Sequence, residues 1–196
     1  MNRIKRLWHC PIVVFIIIFV LFLPGANSQP PISIGATVSI DGKYQEPSLM
    51  IQKAYRLWVE EVNQRGGLLG RKVKLILYND ESNREKTRTY YKKLIEQDKV
   101  DFLLSPYSTP LNEVASEISE QHHKIMLAVA AASNKPWERG FRYLFQIYAP
   151  ADRQFIGFLD IMAKKGFKTL AVLYDGKSNF NVDTAKGIRA WARMFK

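Results

Sequence analysis

The sequence has 196 residues, of which 47% are hydrophobic, and it carries a formal net charge of +11. This length and composition are sufficient for a globular domain with a packed core. The single cysteine, Cys10, precedes the main apolar run, so the chain after it has no thiol for a disulfide or a cysteine metal site. Basic and acidic residues alternate along residues 81–98, which indicates a solvated helix face and argues against a nucleic-acid partner.

The first 28 residues have the layout of a secretory signal peptide. Three basic residues lie among the first six, residues 12–23 are uninterrupted apolar, and the small residues Ala26 and Ser28 precede a predicted cleavage near Gln29. The apolar run is shorter than the roughly 20 residues that a membrane-spanning helix needs. An uncleaved anchor is the alternative. We therefore expect a periplasmic or extracellular protein.

The chain then alternates strands and helices, beginning with a strand predicted over residues 33–40 by alternating apolar residues. An amphipathic helix is predicted over residues 46–64, where it ends at Gly66 and Gly67. The residues predicted to share the apolar face of this helix, of which only Glu61 is polar, are Met50, Ala54, Leu57, Trp58, Glu61 and Val62.

Three further strands are predicted at residues 73–78, 100–104 and 125–127. One amphipathic helix ends near residue 98, and another begins near Pro110, a residue that is tolerated in the first helical turn. Such regular alternation predicts an α/β fold with a doubly wound parallel sheet.

A fifth strand is predicted at residues 143–147, and the pattern restarts after it. A helix ends at Gly166, a strand is predicted at residues 169–174, and a last helix follows. Two strands and two helices rarely bury a core of their own. We therefore expect three parts, which are the signal peptide (1–28), an N-terminal ligand-binding lobe (29–147) and the truncated start of a second α/β lobe (148–196).

Small residues and hydroxyls follow two neighbouring strands of the predicted sheet. Residues 105–109 have the sequence SPYST, and residues 130–133 have the sequence AAAS. Ligands of open α/β sheets bind outside the carboxyl ends of the strands. Open backbone N–H groups and hydroxyls at that edge suit an anionic small molecule better than they suit catalysis.

Catalytic and metal-binding patterns are not found in the sequence. No Gly-x-Ser-x-Gly nucleophile motif occurs. His122 and His123 are adjacent, so they point in different directions on a helix, whereas a two-histidine zinc site needs a spacing of four residues and a third ligand. We expect no enzyme activity and no metal or other cofactor.

Several of these segments together resemble one known family. Their order and spacing over residues 32–195 are similar to those of the substrate-binding proteins of branched-chain amino acid ABC transporters, which have the type 1 periplasmic binding fold and include the leucine-binding proteins. The segments that carry the resemblance are residues 34–36, residues 63–73, Asp80, residues 105–109, residues 131–133 and residues 138–143.

In that family, two α/β lobes close over an amino acid in the cleft between them. The resemblance implies that Ser108 or Thr109, together with the Ser133 hydroxyl and backbone N–H, holds the ligand carboxylate. Backbone groups of Ala131 and Ala132 would contact the ammonium and carboxylate ends. The alternatives are that the two hydroxyls before Pro110 cap the helix and that the two alanines only pack.

Two aromatic residues complete the implied site. Tyr44 would form a wall around the apolar side chain of the ligand, and Phe180 would press on the ligand from the second lobe. The alternatives are an exposed loop aromatic and a core residue of the last helix. Two features differ from the family pattern. Position 105 is commonly glycine in the family, whereas this chain has Ser105. The acidic residue that binds the ligand ammonium in the family would lie beyond Lys196.

The resemblance implies a monomeric, non-enzymatic binding protein that delivers an amino acid or a similar small molecule to an ABC transporter permease. One alternative is a ligand-sensing domain of a receptor on the same fold. The other is a truncated remnant without a working site, for which an exposed apolar face on the second-lobe segment would be the sign.

Overall fold

The computed structural model describes residues 29–195, and the predicted signal peptide therefore lies outside the described residues. All five strands of the sheet are parallel, and their order is β2-β1-β3-β4-β5. The strands are β1 (Ile32–Val38), β2 (Val73–Asn79), β3 (Phe102–Leu104), β4 (Met126–Ala128) and β5 (Leu144–Gln146). This arrangement confirms the predicted parallel sheet.

Helices connect the strands and continue beyond the sheet. Two short elements, a helix at Lys135–Glu138 and a single 3-10 turn at Ala151–Arg153, are additional to the sequence-based prediction. The helices are α1 (Gln45–Gln64), α2 (Arg84–Glu96), α3 (Thr109–Gln121), α4 (Lys135–Glu138), α5 (Ile156–Lys164) and α6 (Asn179–Met194). None of the described helices combines the length and the apolar content needed to cross a membrane.

The two faces of the sheet carry separate cores, which makes the sheet doubly wound. On one face, Tyr91 and Leu94 of α2 and Ile118 of α3 pack with residues of β3, β4 and β5. On the other face, Tyr55 and Val62 of α1 pack on β1 and β2. The apolar residues that repeat at helical spacing in these two helices are buried, namely Tyr91, Leu94, Leu111, Val114, Ala115 and Ile118. Helix α3 also buries four polar residues that the hydrophobic pattern does not predict, namely Asn112, Glu113, Ser116 and Ser119.

The predicted apolar face of α1 is wrong apart from Val62. Ser48, Tyr55 and Val62 are the buried residues of this helix, whereas Met50 and Leu57 are 64% and 58% exposed. The Tyr55 hydroxyl donates to the backbone oxygen of Ser105 at 2.7 Å. The side of α1 that carries Tyr55 therefore faces the sheet, in place of the predicted side. Because several apolar residues lie on each side of this helix, the hydrophobic pattern alone does not determine which side faces the sheet.

The strand predicted at residues 169–174 does not form. The segment has no regular secondary structure, none of its backbone groups forms a backbone hydrogen bond within the described chain, and Leu173 is 99% exposed. A strand needs a partner for its N–H and C=O groups, and none of the described strands lies beside this segment. The sequence pattern is that of a strand, but the pairing that would create the strand is missing.

Because two tyrosines are buried, we expect the folded protein to lose stability at alkaline pH. Burial raises the pKa of Tyr91 well above its usual value and raises that of Tyr55 as well. Each neutral phenol therefore contributes stability that is fully present below the unfolded-state pKa of about 10 and is lost as pH rises above it. We expect Tyr91→Phe to reduce the fall of the unfolding free energy above pH 10 by about 1.4 kcal/mol per pH unit.

Urea unfolding at several pH values between 8 and 11 measures this slope. The phenylalanine variant also loses the hydrogen bond from the Tyr91 hydroxyl to the backbone oxygen of Leu104, so it should be less stable near neutral pH. Tyr174→Phe, at a tyrosine that is 49% exposed, is the matched control and should leave the slope unchanged. Equal slopes for Tyr91→Phe and the wild-type chain would contradict the prediction.

Candidate functional site

The sheet has a topological switch point between β1 and β3, because β2 lies on one side of β1 and the later strands lie on the other. The loops that follow β1 and β3 leave the sheet there, which is the usual place for a ligand in an open α/β sheet. Tyr44 and Tyr107, one from each loop, contact each other edge to face with ring centroids 5.9 Å apart. The structure therefore places the predicted Tyr44 at this crevice and adds Tyr107.

The loop after β1 is held by a buried carboxylate. Asp80 is fully buried and accepts hydrogen bonds of 2.6 Å from the hydroxyls of Thr37 and Ser39. It also accepts a bond from the backbone N–H of Ser82, whose hydroxyl in turn accepts the backbone N–H of Tyr44. Asp80, directly after β2, thus fixes the position of the loop that carries Tyr44.

Ser108, immediately before α3, has two unusual properties. Its φ angle is +83°, a region that favours glycine, and its buried hydroxyl has no hydrogen-bond partner among the described residues. It makes no side-chain capping bond to α3, contrary to the alternative that it caps the helix. Thr109 is the first residue of the helix and is buried, and the side-chain oxygen of Asn112 is likewise buried without a partner.

Ser105 fixes the loop that carries Ser108. Its backbone N–H donates to the backbone oxygen of Leu127 at 3.0 Å, and its hydroxyl accepts a hydrogen bond from the backbone N–H of Val129 at 3.1 Å. Its backbone oxygen accepts the Tyr55 hydroxyl described above. The serine at a position that is commonly glycine in the resembled family therefore ties the loops after β3 and β4 together.

The loop after β4 uses most of its polar groups internally. The backbone oxygen of Ala131 accepts the Gln146 side-chain amide at 3.1 Å, and that of Ala132 accepts the Ala151 N–H at 2.8 Å. Both alanines are 3% exposed. Their carbonyl oxygens therefore already have partners, which leaves their N–H groups as the simpler candidates for a ligand carboxylate.

Ser133 is bonded to the last helix. Its hydroxyl donates to Asp183 Oδ2 at 2.8 Å, and the backbone N–H of Asn134 donates to the same oxygen at 3.1 Å. On the same helix, the side-chain amide of Asn179 donates to Glu113 Oε1 at 2.6 Å. These bonds place the first turns of α6 against α3 and against the loop after β4, the two elements that carry the predicted carboxylate site.

Phe180 is only half-buried and lies with the residues that follow β5. It lines a cavity of about 540 Å³ together with Phe155, Phe158 and residues 170–175. Thr184, Ala185 and Ile188 of α6 also line this cavity. The structure thus places Phe180 at this cavity, which is lined by none of the other predicted site residues.

Metal-binding geometry is not found in the described residues. Within residues 29–195, no group of three histidine, cysteine or acidic side chains is placed to hold a metal ion. His122 lies 3.5 Å from Glu96, and the His123 ring lies against Tyr143. Both histidines thus have local partners at the end of α3.

Two residues of this region were not predicted from the sequence. Tyr107 lies inside the SPYST segment, but its contact with Tyr44 depends on the order of strands in the sheet. Asp183 lies 50 residues after Ser133 in a helix whose spacing indicates only amphipathicity. Long-range contacts of this kind leave no local pattern in the chain.

Solved structures with the same fold include three solute-binding proteins. An ABC transporter substrate-binding protein from Desulfitobacterium hafniense in complex with Leu is 19% identical, with a TM-score of 0.74 over 85% of this chain and 48% of that one. The branched-chain amino acid transporter substrate-binding protein of Streptococcus pneumoniae in complex with isoleucine is 20% identical, with a TM-score of 0.73 over 82% of this chain and 46% of that one.

The third comes from Rhodopseudomonas palustris and contains 3,4-dihydroxy benzoic acid. It is 21% identical, with a TM-score of 0.74 over 85% of this chain and 44% of that one. The present chain thus spans about half the length of the structures that it matches. The family model for periplasmic binding proteins matches residues 31–194, nearly all of the described chain, and the chain therefore belongs to the periplasmic binding protein family.

Proposed function

We propose that the chain is the ligand-binding part of an extracytoplasmic solute-binding protein that captures an amino acid, most simply a branched-chain one, for an ABC transporter permease. Family membership supports the general class, and structural neighbours with bound Leu and isoleucine support the ligand. The proposed location is periplasmic or extracellular, in agreement with the signal peptide predicted from residues 1–28. The protein binds its ligand as a monomer and catalyses no reaction.

Ser108 is the observation that carries this proposal. A non-glycine residue at positive φ and a buried hydroxyl without a partner each cost about 1–3 kcal/mol. Both costs occur at the N-terminus of α3, where backbone N–H groups and the helix dipole favour an anion. A ligand carboxylate accepts the hydroxyl hydrogen and uses the helix N-terminus, so binding satisfies the groups that the free protein leaves unpaired.

The proposed mechanism is hinge closure. Residues 29–147 form the lobe that makes the first contacts through Ser108, the N–H groups after β4 and Tyr44. Residues 148–196 begin the second lobe, and Phe180 contacts the ligand from that side. Ligand contacts made from both lobes favour the closed state over the open one.

Thermal unfolding with a ligand panel tests the proposal. The panel contains leucine, isoleucine, valine and hydroxybenzoic acids, and a ligand that binds only the folded state stabilises it by about 2.7 kcal/mol at 100 times its dissociation constant. We expect leucine, isoleucine or valine to raise the melting temperature. Ser108→Gly should abolish this shift without lowering the melting temperature of the free protein, because glycine accepts a φ of +83° and removes the unpaired hydroxyl.

Ser116→Ala is the matched control for Ser108→Gly. Ser116 is also a buried serine associated with α3, but its hydroxyl donates to the backbone oxygen of Glu113 within the same helix. The control should keep the ligand-induced shift. The proposal would be wrong if no compound of the panel shifts the wild-type transition, or if the shift is equal in Ser108→Gly.

A chain without a working site is the second candidate, because residues 170–174 show the exposed apolar surface that is its predicted sign. Leu170, Val172 and Tyr174 are 38–49% exposed, and together with Leu173 they present an apolar segment to solvent. Such a surface binds the dye ANS and promotes self-association. Strong ANS fluorescence from a chain that shows no ligand-induced shift would favour this candidate over the working binding protein.

A further inference from the structure

Strand β2 forms an open edge of the sheet. It pairs with β1 on one side, and none of the described strands lies on its other side. In a parallel ladder, successive residues of a strand direct their N–H and C=O groups alternately to its two sides. The Ile32 N–H donates to the Lys72 oxygen, and the Asp80 N–H donates to the Val38 oxygen. The even-numbered residues of β2 therefore bond to β1, and the odd-numbered residues direct their backbone groups outward.

Two of the outward residues have no backbone partner at this edge. The side-chain amide of Asn63 on α1 bonds the N–H and the oxygen of Val73, at 2.7 and 2.9 Å. Leu75 and Leu77, further along β2, have no comparable partner among the described residues. Both leucines lie in an open groove of about 480 Å³, which is also lined by Arg56, Lys74, Ile76 and Asp98. An edge strand with free N–H and C=O groups is a template for pairing with a further strand.

The free edge of β2 is complementary to itself. When two copies of β2 pair antiparallel about a two-fold axis at Ile76, Leu75 of each copy lies opposite Leu77 of the other. These residues carry the free backbone groups, so the two copies exchange four hydrogen bonds. Their half-buried side chains meet on the α1 face of the sheet, and the two Ile76 side chains meet on the α2 face.

Charges match on the α2 face of this arrangement. Lys74 is exposed and would lie opposite Tyr78 of the second copy, because both residues are two positions from Ile76. The Tyr78 hydroxyl donates to Asp98 Oδ2 at 3.0 Å, so Lys74 of one copy approaches a carboxylate of the other. Lys93 already lies over the Tyr78 ring at 4.4 Å, and the carboxylate is then shared by two lysines.

Charges also match on the α1 face. Lys53 and Glu60 are exposed and lie on the side of α1 that carries Asn63, because residues separated by three, four or seven positions share one side of a helix. Asn63 bonds to Val73, three strand residues from Ile76. At 1.5 Å per helix residue and about 3.3 Å per strand residue, the axis then lies midway between Lys53 and Glu60. The axis thus places Lys53 of one copy beside Glu60 of the other.

We propose that β2 is a self-association surface, through which two copies of the chain pair antiparallel and join their five-stranded sheets into one. A second copy fits this edge because the same residues supply matching donors, acceptors, apolar side chains and opposite charges. One strand and one helix side per copy make a small interface, so the association is weak and the dilute chain is a monomer. Each copy keeps its own ligand site, because that site lies at the loops after β3 and β4.

Disulfide crosslinking tests the register of the pairing. Cys10 is the single cysteine of the chain, so the experiment uses a Cys10→Ser background. In Ile76→Cys, the two thiols face each other at the axis, with Cα atoms about 4.5 Å apart, a distance that a disulfide spans. We expect mild oxidation to give a disulfide-linked dimer. Leu77→Cys is the matched control, because its two copies lie more than about 7 Å apart and cannot be bridged without backbone movement.

Analytical ultracentrifugation measures the association without a crosslink. For the wild-type chain, we expect the dimer fraction to rise over a concentration series from about 10 µM to 1 mM. Leu75→Pro removes an outward N–H that β1 does not use, and proline is tolerated on edge strands at such positions. We expect this variant to stay monomeric. Leu173→Asp is the control for association through the exposed residues 170–174, and it should dimerise like the wild-type chain.

Three results would overturn the proposal. They are a wild-type chain that stays monomeric over the whole series, equal crosslinking of Ile76→Cys and Leu77→Cys, and association that is lost in Leu173→Asp but kept in Leu75→Pro. Circular dichroism checks that Leu75→Pro folds, and if it does not, the two cysteine variants decide. None of these measurements contains a ligand, so their outcome is independent of the proposed function.

Discussion

Leu94→Ala is expected to lower the free energy of unfolding by about 3 kcal/mol, a loss typical of a fully buried leucine. Leu94 on α2 has no exposed surface and packs directly on Gly35 of β1, where an added methyl group would lie 2.8 Å from Leu94 Cδ2. Gly35→Ala should therefore also destabilise the protein, by about 1–3 kcal/mol, because it overpacks this contact. Urea unfolding measures both effects.

The double variant gives the sharper test of this contact. In Leu94→Ala, the space left by the leucine lies beside Gly35, so the methyl group of Gly35→Ala fills part of it. We expect the double variant to lose clearly less stability than the sum of the single variants. Gly35→Ala combined with Ile118→Ala, a buried core residue on α3, is the control pair and should be additive. Additivity in the Leu94 pair would contradict the packing of α2 on β1.

Gly187→Ala is expected to detach α6 from the rest of the described chain. A methyl group at this position would lie 2.1 Å from the backbone oxygen of Asp152 and 2.4 Å from its Cα, and backbone atoms cannot rotate away. The helix must shift, at a cost of about 1–3 kcal/mol or more. Hydrogen exchange of the α6 amides measures the loss, and the bond from Ser133 to Asp183 should break with it.

Gly157→Ala is the matched control for this experiment. Gly157 lies within α5, and a methyl group there would meet open space. Alanine should stabilise the helix by about 0.5–1 kcal/mol, since glycine is the poorer helix former. Unchanged protection of the α6 amides in Gly187→Ala would show that α6 is not packed on the 3-10 turn at Ala151–Arg153.

The sequence was a good guide where burial produces a local pattern. The strands of the sheet and the faces of α2 and α3 were predictable because apolar residues repeat with the period of each element. The face of α1 was not, because Met50, Leu57 and Trp58 form an apolar stripe that is exposed while Tyr55 and Val62 are buried. Packing on β1 and β2 decides between the two sides, and this information is not local.

The strand predicted at residues 169–174 shows a different limit of sequence analysis. The alternation of Leu170, Val172 and Tyr174 is that of a strand, yet strand formation requires a neighbour that none of the described strands provides. The β-propensity of a segment predicts that it forms a strand when a neighbouring strand is available to pair with it. It does not predict that the partner is present.

The candidate site was predictable as a location but not as a set of contacts. The hydroxyls after β3 and β4 identified the carboxyl edge of the sheet, and the strand order placed their loops next to each other. The unpaired hydroxyl of Ser108 and the bond from Ser133 to Asp183 depend on backbone angles and on α6, which no short motif encodes. The roles of Tyr44 and Phe180 stay predictions.

An NMR titration of the ¹⁵N-labelled chain with leucine locates ligand binding residue by residue, and so tests whether the site lies at the carboxyl edge of the sheet. We expect the largest amide shifts at residues 108–112, at residues 131–134 and in the first turns of α6. Residues at the opposite edge of the sheet, such as Ser33 and Asp101, should not respond. Shifts centred away from these three segments, or none at leucine concentrations that saturate such proteins, would contradict a binding site at the carboxyl edge of the sheet.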